Sequence, residues 1–139
     1  MQLLEQVLET NPDKVKIVFK NFPLRNHKNA MKAATAALAA GSQGKFWEFH
    51  DQLFKNYNRL NDKMIDDITV VLKLDRSEFE KKEKAPEIIN QINQDIADGK
   101  KAGVRGTPAV FINGRILRNR SLKGFQTIID AELEKKGLK

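Results

Sequence analysis

The sequence predicts an α/β fold in which a run of helices is inserted between two parts of a strand-containing scaffold. An apolar strand pattern occurs early, at Val15–Phe19, and a strand–turn–strand pattern occurs late, at residues 109–117. Between them, apolar residues recur at the spacing of amphipathic helices. Since helices and strands cover their apolar faces against one another, a helical excursion from an α/β scaffold is the simplest arrangement.

The first predicted elements are a helix and a strand. Leu3–Thr10 has apolar residues at helical spacing, and residues 11–13 (Asn-Pro-Asp) end that helix in a turn. In Val15–Phe19, apolar and basic residues first alternate and the pattern then becomes continuously apolar, which is typical of a β-strand. Pro23 ends this predicted strand.

A run of four or five helices follows. Gly41 and Gly44 separate the first two of these helices. Asn61 or Asp62 can cap a later helix, and Pro86 suits the first turn of the last one. The predicted helices span residues 29–40, 45–57, 64–72 and 77–82, and one that begins at 86 and frays near 99–103.

The second of these helices carries an aromatic stripe, which is either the lining of a peptide groove or part of the core. Because most apolar helical stripes face inward, we interpret this one as core. The stripe consists of Phe46, Trp47, Phe49, Phe54 and Tyr57.

The last part of the chain changes to a hairpin followed by a helix. Ala109–Ile112 is a short apolar strand, and residues 113–114 (Asn-Gly) predict a type I′ turn into a returning strand. Ser121 can cap the last helix, and Gly137 suits its C-terminal cap.

Composition limits the classes of function. The 139 residues suffice for one domain, and no apolar run approaches the roughly 20 residues that span a membrane. The net charge is +7, but the basic residues are spread along the chain without the aromatic interleaving that stacks bases. We therefore expect neither a nucleic acid nor a membrane as the main partner.

The chain contains no cysteine, which excludes thiolate nucleophiles, disulfides and cysteine-ligated zinc within it. Its two histidines, His27 and His50, are too few for a metal site, so we expect no metal and no cofactor. Ser42 and Ser121 lack the glycine elbow of a hydrolase nucleophile. The acidic pairs, such as residues 66–67, are interpreted as solvated helix faces.

Three stretches of the sequence resemble the DsbA family of bacterial thiol:disulfide oxidoreductases and protein disulfide isomerases. Val15–Leu24 resembles the family's second core strand, and Gly44–Phe54 resembles a helix of its inserted helical subdomain. Gly103–Gly114 is the most specific, since it looks like the cis-proline loop that leads into the core hairpin. In this order the resemblance covers nearly the whole chain.

The resemblance implies a thioredoxin-like (DsbA-like) fold with an inserted helical subdomain. Its thioredoxin-like parts would be residues 1–25 and 104–139, and the helical insert residues 26–103. The family's first core strand and its Cys-x-x-Cys motif are absent, because the chain begins just beyond the position where they would stand. The family role is disulfide formation or isomerisation in protein substrates; without thiols, we expect this chain to be redox-inactive.

The resemblance also implies a binding site without catalytic residues. In the family, the proline matching Pro108 is cis, and the backbone of the preceding residue pairs with an extended substrate segment. The candidate substrate-binding residues are therefore Arg105, Gly106, Thr107 and Pro108, with extended peptide or protein segments as partners.

One further expectation, about the oligomeric state, depends on the missing strand. In the thioredoxin topology it lies between residues 15–22 and residues 109–112, so its absence leaves two unpaired edges. Those edges can close directly on each other or pair with a second chain, and we expect a homodimer.

The expected localisation depends on the start of the chain. If Met1 is the true start the chain is cytoplasmic, whereas the family is typically periplasmic or extracytoplasmic.

Three functions stay open from the sequence. The chain is an incomplete oxidoreductase of this family, or a natural cysteine-free module that binds peptides or itself. A basic nucleic-acid-binding domain is the weaker alternative, and a steep salt dependence of binding would identify it.

Overall fold

The computed structural model describes residues 2–138, in which seven α-helices and one two-stranded antiparallel sheet are present. The helices are α1 (Gln2–Thr10), α2 (Ala30–Gly41), α3 (Phe46–Lys55), α4 (Asp62–Val71), α5 (Arg76–Glu83), α6 (Pro86–Lys101) and α7 (Leu122–Lys135). The strands are β1 (Phe111–Ile112) and β2 (Arg115–Ile116), and a 3₁₀ turn occupies Tyr57–Arg59. No helix among the described residues is both long enough and apolar enough to cross a membrane.

The chain divides into two units. The terminal unit comprises Met1–Phe19 and Gly106–Lys139, and the helical unit comprises Lys20–Arg105. The domain boundaries expected from the sequence, after residues 25 and 103, stay predictions.

The helical unit packs around the alanine-rich helix α2. Ala36, Ala39 and Ala40 are fully buried, and Phe49 of α3 and Ile92 of α6 are equally inaccessible. Side chains as small as alanine let neighbouring helices approach α2 closely. The large side chains of α3 and α6 then fill the interior of this unit.

The aromatic stripe of α3 is only partly core, which corrects the sequence-based interpretation. Phe49 is buried, whereas Trp47, Phe54 and Tyr57 are 40%, 59% and 73% exposed. At 100° per residue, Phe54 lies about 80° around the helix from Phe46, so it falls on the flank of the buried face. Tyr57 is in the 3₁₀ turn after α3, where the helical period no longer applies.

The terminal unit has its own core between α1, α7 and the hairpin. Val7, Leu117, Phe125, Ile129 and Leu133 form this core, and parts of the hairpin and of the segment after α1 pack against it. The spacing of apolar residues along α1 and α7 predicts this packing, because it places those side chains on one face of each helix.

Local signals in the terminal unit act as the sequence predicts. Phe111 pairs with Ile116, and Asn113 and Gly114 have φ values of 47° and 80°, as a type I′ turn requires. The Ser121 side chain accepts a hydrogen bond from the Gly124 N–H at 3.1 Å and caps α7. Gly137, at φ 66°, follows the last turn of α7.

The predicted strand at Val15–Phe19 is not a β-strand in the structure, and this expectation was wrong. A strand is defined by ladder hydrogen bonds, and no described strand pairs with this segment. Burial nevertheless alternates along this segment, because Val15 and Ile17 are half-buried while Lys16 and Val18 are exposed.

Candidate functional site

The candidate site is the exposed loop between α6 and β1. Helix α6 ends at Lys101, and Gly103 adopts a left-handed conformation with φ 83° that turns the chain away from the helix. The Val104 N–H donates to the Gly99 carbonyl oxygen at 2.9 Å and secures this turn. The four predicted binding residues, which begin at Arg105, follow and are all exposed.

The peptide bond between Thr107 and Pro108 is cis. The Pro108 carbonyl oxygen accepts a hydrogen bond from Nη1 of Arg120 at 3.0 Å. Within residues 2–138, neither the backbone nor the hydroxyl group of Thr107 has a hydrogen-bond partner. Thr107 therefore offers one backbone donor, one backbone acceptor and one hydroxyl group to a ligand.

Sequence reasoning missed Arg120. It is twelve positions from Pro108 and carries no local motif, so only the folded hairpin brings its guanidinium to the loop. Of the four predicted residues, Gly106, Thr107 and Pro108 belong to the terminal unit, and Arg105 is the last residue of the helical unit.

The groups that this loop offers are hydrogen-bonding groups. The chain has no thiol, and the loop supplies backbone groups, a hydroxyl and the Arg105 guanidinium. Such groups hydrogen-bond to an extended polypeptide or to an anionic side chain. No group of three or more potential metal ligands occurs among residues 2–138.

His50, one of the candidate residues from the sequence, has a packing role. Its ring lies 4.5 Å from the Phe54 ring and 5.6 Å from the Trp47 ring, centroid to centroid. Burial lowers the pKa of His50 below its usual 6.5, and the hydrogen bond and charge of Asp51 oppose that shift. A neutral imidazole is therefore favoured in this aromatic environment.

The serine candidates are structural as well. Besides Ser121 at the start of α7, Ser42 follows the end of α2, where its hydroxyl donates to the Ala39 carbonyl oxygen at 2.7 Å. Neither serine has a histidine among its hydrogen-bond partners in the described part of the chain. Both hydroxyls thus satisfy helix ends, which agrees with their positions in the sequence.

An acidic cleft of about 430 Å³ lies in the helical unit beside α2 and α4. Asp62, Asp66 and Glu83 line it, and Lys32 pairs with Asp62 at 2.6 Å. Burial and the nearby charge of Asp66 raise the pKa of Glu83. The sequence analysis assigned Asp66 to a solvated helix face and Asp62 to a possible helix cap, and it did not predict the cleft.

A family model described as thioredoxin matches residues 1–131. The chain belongs to the thioredoxin family. A crystal structure of a thioredoxin-like oxidoreductase from Silicibacter pomeroyi DSS-3 superposes with a TM-score of 0.83 at 25% identity, covering 96% of this chain and 77% of that one. The thioredoxin-like fold and family predicted from the sequence are thereby confirmed.

Two kinds of curated relative are similar to this thioredoxin-family chain. The probable disulfide bond formation protein D of Bacillus cereus is 28% identical over 130 residues, which are 88% of this chain. The Na⁺/H⁺ antiporter NhaA 3 of Salinispora tropica is 35% identical over 102 residues, or 73% of this chain. The match spans 60% of the Bacillus protein and 16% of the antiporter.

Proposed function

We propose that this chain is a DsbA-like domain that binds extended protein segments at the loop Arg105–Pro108 and carries out no disulfide exchange by itself. The observation that carries the proposal is Thr107, whose backbone and hydroxyl groups are exposed and make no hydrogen bond within residues 2–138. The similarity to the disulfide bond formation protein D supports a DsbA-like role.

The absence of thiols supports the redox-inactive part of the proposal. In disulfide exchange, a thiolate attacks a disulfide sulfur, forms a mixed disulfide and releases the second sulfur as a thiolate. A hydroxyl such as that of Thr107 does not exchange with disulfide sulfur. We therefore propose that residues 105–108 keep the binding step of the family reaction without its electron transfer.

Nuclear magnetic resonance tests the binding step directly. An unstructured, cysteine-free peptide is titrated into the labelled chain, and the amide resonances of Gly106, Thr107 and Ala109 are followed. We expect saturable shifts at these amides. The variant Arg105→Glu should change the affinity for an acidic peptide, whereas Lys28→Glu, an exposed charge in the same unit, should not. Shifts confined to other parts of the chain would reject this loop as the site.

Turnover assays test redox inactivity. Insulin reduction and refolding of a scrambled disulfide protein should proceed at the rate of the blank. Activity that survives repurification of the cysteine-free chain would contradict the proposal. The homodimer expected from the sequence also stays a prediction, and light scattering coupled to size exclusion tests it by comparing the measured mass with the 15.8 kDa of one chain.

A further inference from the structure

The Arg120 side chain takes the place of a backbone donor at the point where the two halves of the hairpin separate. The last backbone hydrogen bond of the hairpin joins the Leu117 N–H to the Val110 carbonyl oxygen at 2.8 Å. If the antiparallel register continued, the Pro108 carbonyl oxygen would accept from the Asn119 N–H. Among residues 2–138, that carbonyl oxygen accepts instead from Nη1 of Arg120, at 3.0 Å. A guanidinium is thereby fixed to the candidate binding loop.

The backbone on either side of Arg120 is attached to the start of α7. The Asn119 side chain accepts from the Ser121 N–H at 3.1 Å, and the Ser121 side chain accepts from the Gly124 N–H at 3.1 Å. The chain also passes so close to α7 that a Cβ atom at Gly124 would collide with the Asn119 carbonyl oxygen. Because these contacts restrain its neighbours, Arg120 loses less conformational entropy when its guanidinium binds a ligand.

The Arg120 guanidinium has donors left for such a ligand. A guanidinium carries five N–H donors in a planar fork, and this one uses Nη1 for the Pro108 carbonyl oxygen. In the part of the chain that the structure describes, the exposed Arg120 side chain makes no other hydrogen bond and no ion pair. The remaining donors suit a carboxylate, which a guanidinium can bind through two parallel N–H groups.

The sequence around Arg120 supplies no carboxylate. Residues 99–129, which contain the loop, the hairpin and the start of α7, include seven basic residues and no aspartate or glutamate. The carboxylate that contacts the hairpin turn, Glu132, is already paired with Arg115 at 3.3 Å and with Lys135 at 2.9 Å. A ligand therefore has to bring the carboxylate, and a positively charged surface attracts one.

We propose that Arg120 is a specificity-determining residue that binds an aspartate or glutamate side chain of the extended segment held at Thr107. The segment belongs to a separate protein. Thr107 directly precedes Pro108, so the exposed backbone groups that would pair with the segment adjoin the carbonyl group that holds the guanidinium. This inference rests on the function proposed for the loop Arg105–Pro108, and it adds the class of substrate, which is acidic protein segments.

The test compares two peptides that differ in one carboxylate. Both are short, unstructured peptides of serine, threonine and valine, and the central residue is glutamate in one and glutamine in the other. Each is titrated up to roughly 1 mM into the labelled full chain, and the amide resonances of Gly106, Thr107 and Ala109 are followed. We expect the glutamate peptide to bind about fivefold more tightly at low salt, with a preference that decreases as salt is added.

Arginine variants of the protein separate a specific contact from general attraction. Arg120→Gln should reduce the preference for the glutamate peptide at least about threefold. Arg118→Gln removes the same charge from an exposed arginine of the same hairpin, which makes no hydrogen bond with the loop in the described chain, so the preference should remain. Arg120→Lys keeps the charge without the planar fork and should retain only part of the preference. An equal reduction in Arg118→Gln and Arg120→Gln would overturn the proposal in favour of general attraction.

The peptide pair also distinguishes this inference from the function on which it rests. Equal affinity of the two peptides, with saturable shifts at Thr107, would overturn the role of Arg120 and leave peptide binding at the loop intact. The absence of saturable shifts with either peptide would reject the loop as the site and the inference with it. An equal loss of affinity for both peptides in Arg120→Gln would show that Arg120 only positions the loop, which would overturn recognition of the carboxylate.

Discussion

The carboxylate of Asp95 accepts two hydrogen bonds from Asn21, one from its backbone N–H at 2.9 Å and one from its side-chain amide at 2.8 Å. The Asp95 side chain is only 3% exposed, and Gln91 donates to its other oxygen at 2.8 Å. Lys20 lies 3.7 Å from the same carboxylate. Helix α6 therefore holds the segment that begins the helical unit through one buried acceptor.

Replacing Asp95 with alanine should destabilise the fold by about 2–4 kcal/mol. The change leaves the buried donors of Asn21 without an acceptor, and each unsatisfied buried group costs about 1–3 kcal/mol. Urea unfolding followed by circular dichroism measures the effect. The matched control is Asp98→Ala on the same helix, whose side chain is 45% exposed and whose pair with Lys20 is screened by solvent, so that we expect a smaller effect than for Asp95. Equal destabilisation by both variants would contradict this role of Asp95.

Gly99→Ala should also destabilise the helical unit, although alanine favours a helix by about 1 kcal/mol. A Cβ atom at this position would lie 2.8 Å from two ring carbons of Phe22, so the ring would have to move. Overpacking of this kind costs about 1–3 kcal/mol. The double variant Gly99→Ala/Phe22→Leu should recover stability relative to Phe22→Leu alone. A stabilising Gly99→Ala single variant would show that the ring moves freely.

Acid should weaken the terminal unit through Glu132. Hydrogen bonds from Lys135, Asn113 and Arg115 lower the pKa of Glu132 from 4.5 to about 2. The folded pKa lies below the unfolded one, so the stabilisation is complete above pH 4.5 and is lost as the pH falls towards 2. Glu132→Gln should remove this part of the pH dependence of unfolding. A Glu132 carboxyl resonance that titrates near pH 4.5 in the folded chain would contradict this prediction.

His50 should produce a separate loss of stability at a higher pH. Because burial lowers its pKa in the folded chain, the unfolded chain binds the proton more readily. Stability should be constant with respect to this group above pH 6.5 and should decrease as the pH falls below that value. In His50→Phe the decrease that starts near pH 6.5 should disappear while the one below pH 4.5 remains. An unchanged profile in that variant would exclude His50 as its origin.

Local signals in the sequence predicted much of the fold because they act within a few residues. The Asn61 side chain accepts from the Met64 N–H at 2.8 Å and caps α4, and Pro86 occupies the first turn of α6. Residues 113–114 form the predicted turn between β1 and β2. Cap and turn preferences depend on φ, ψ and the nearest backbone groups, which the local sequence specifies.

Longer-range features were harder to predict. The strand expected at Val15–Phe19 requires a partner strand, and the burial of Phe54 depends on which side of α3 meets the other helices. The contact of Arg120 with the Pro108 carbonyl oxygen joins residues twelve positions apart. Periodicity shows which residues of one segment share a face, but it does not specify which distant segment meets that face, so these features could not be predicted from sequence patterns.

The sequence by itself determined the order of helices and hairpin, the thioredoxin family and the absence of a thiol from this chain. Only the tertiary structure decided that residues 15–19 form no β-strand, that the Arg120 guanidinium reaches the Pro108 carbonyl oxygen, and that Asn21 shares the buried Asp95. The physical reason is the range of the interactions. Periodicity, caps and composition are properties of neighbouring residues, whereas hydrogen-bond satisfaction across 74 positions exists only after the chain has folded.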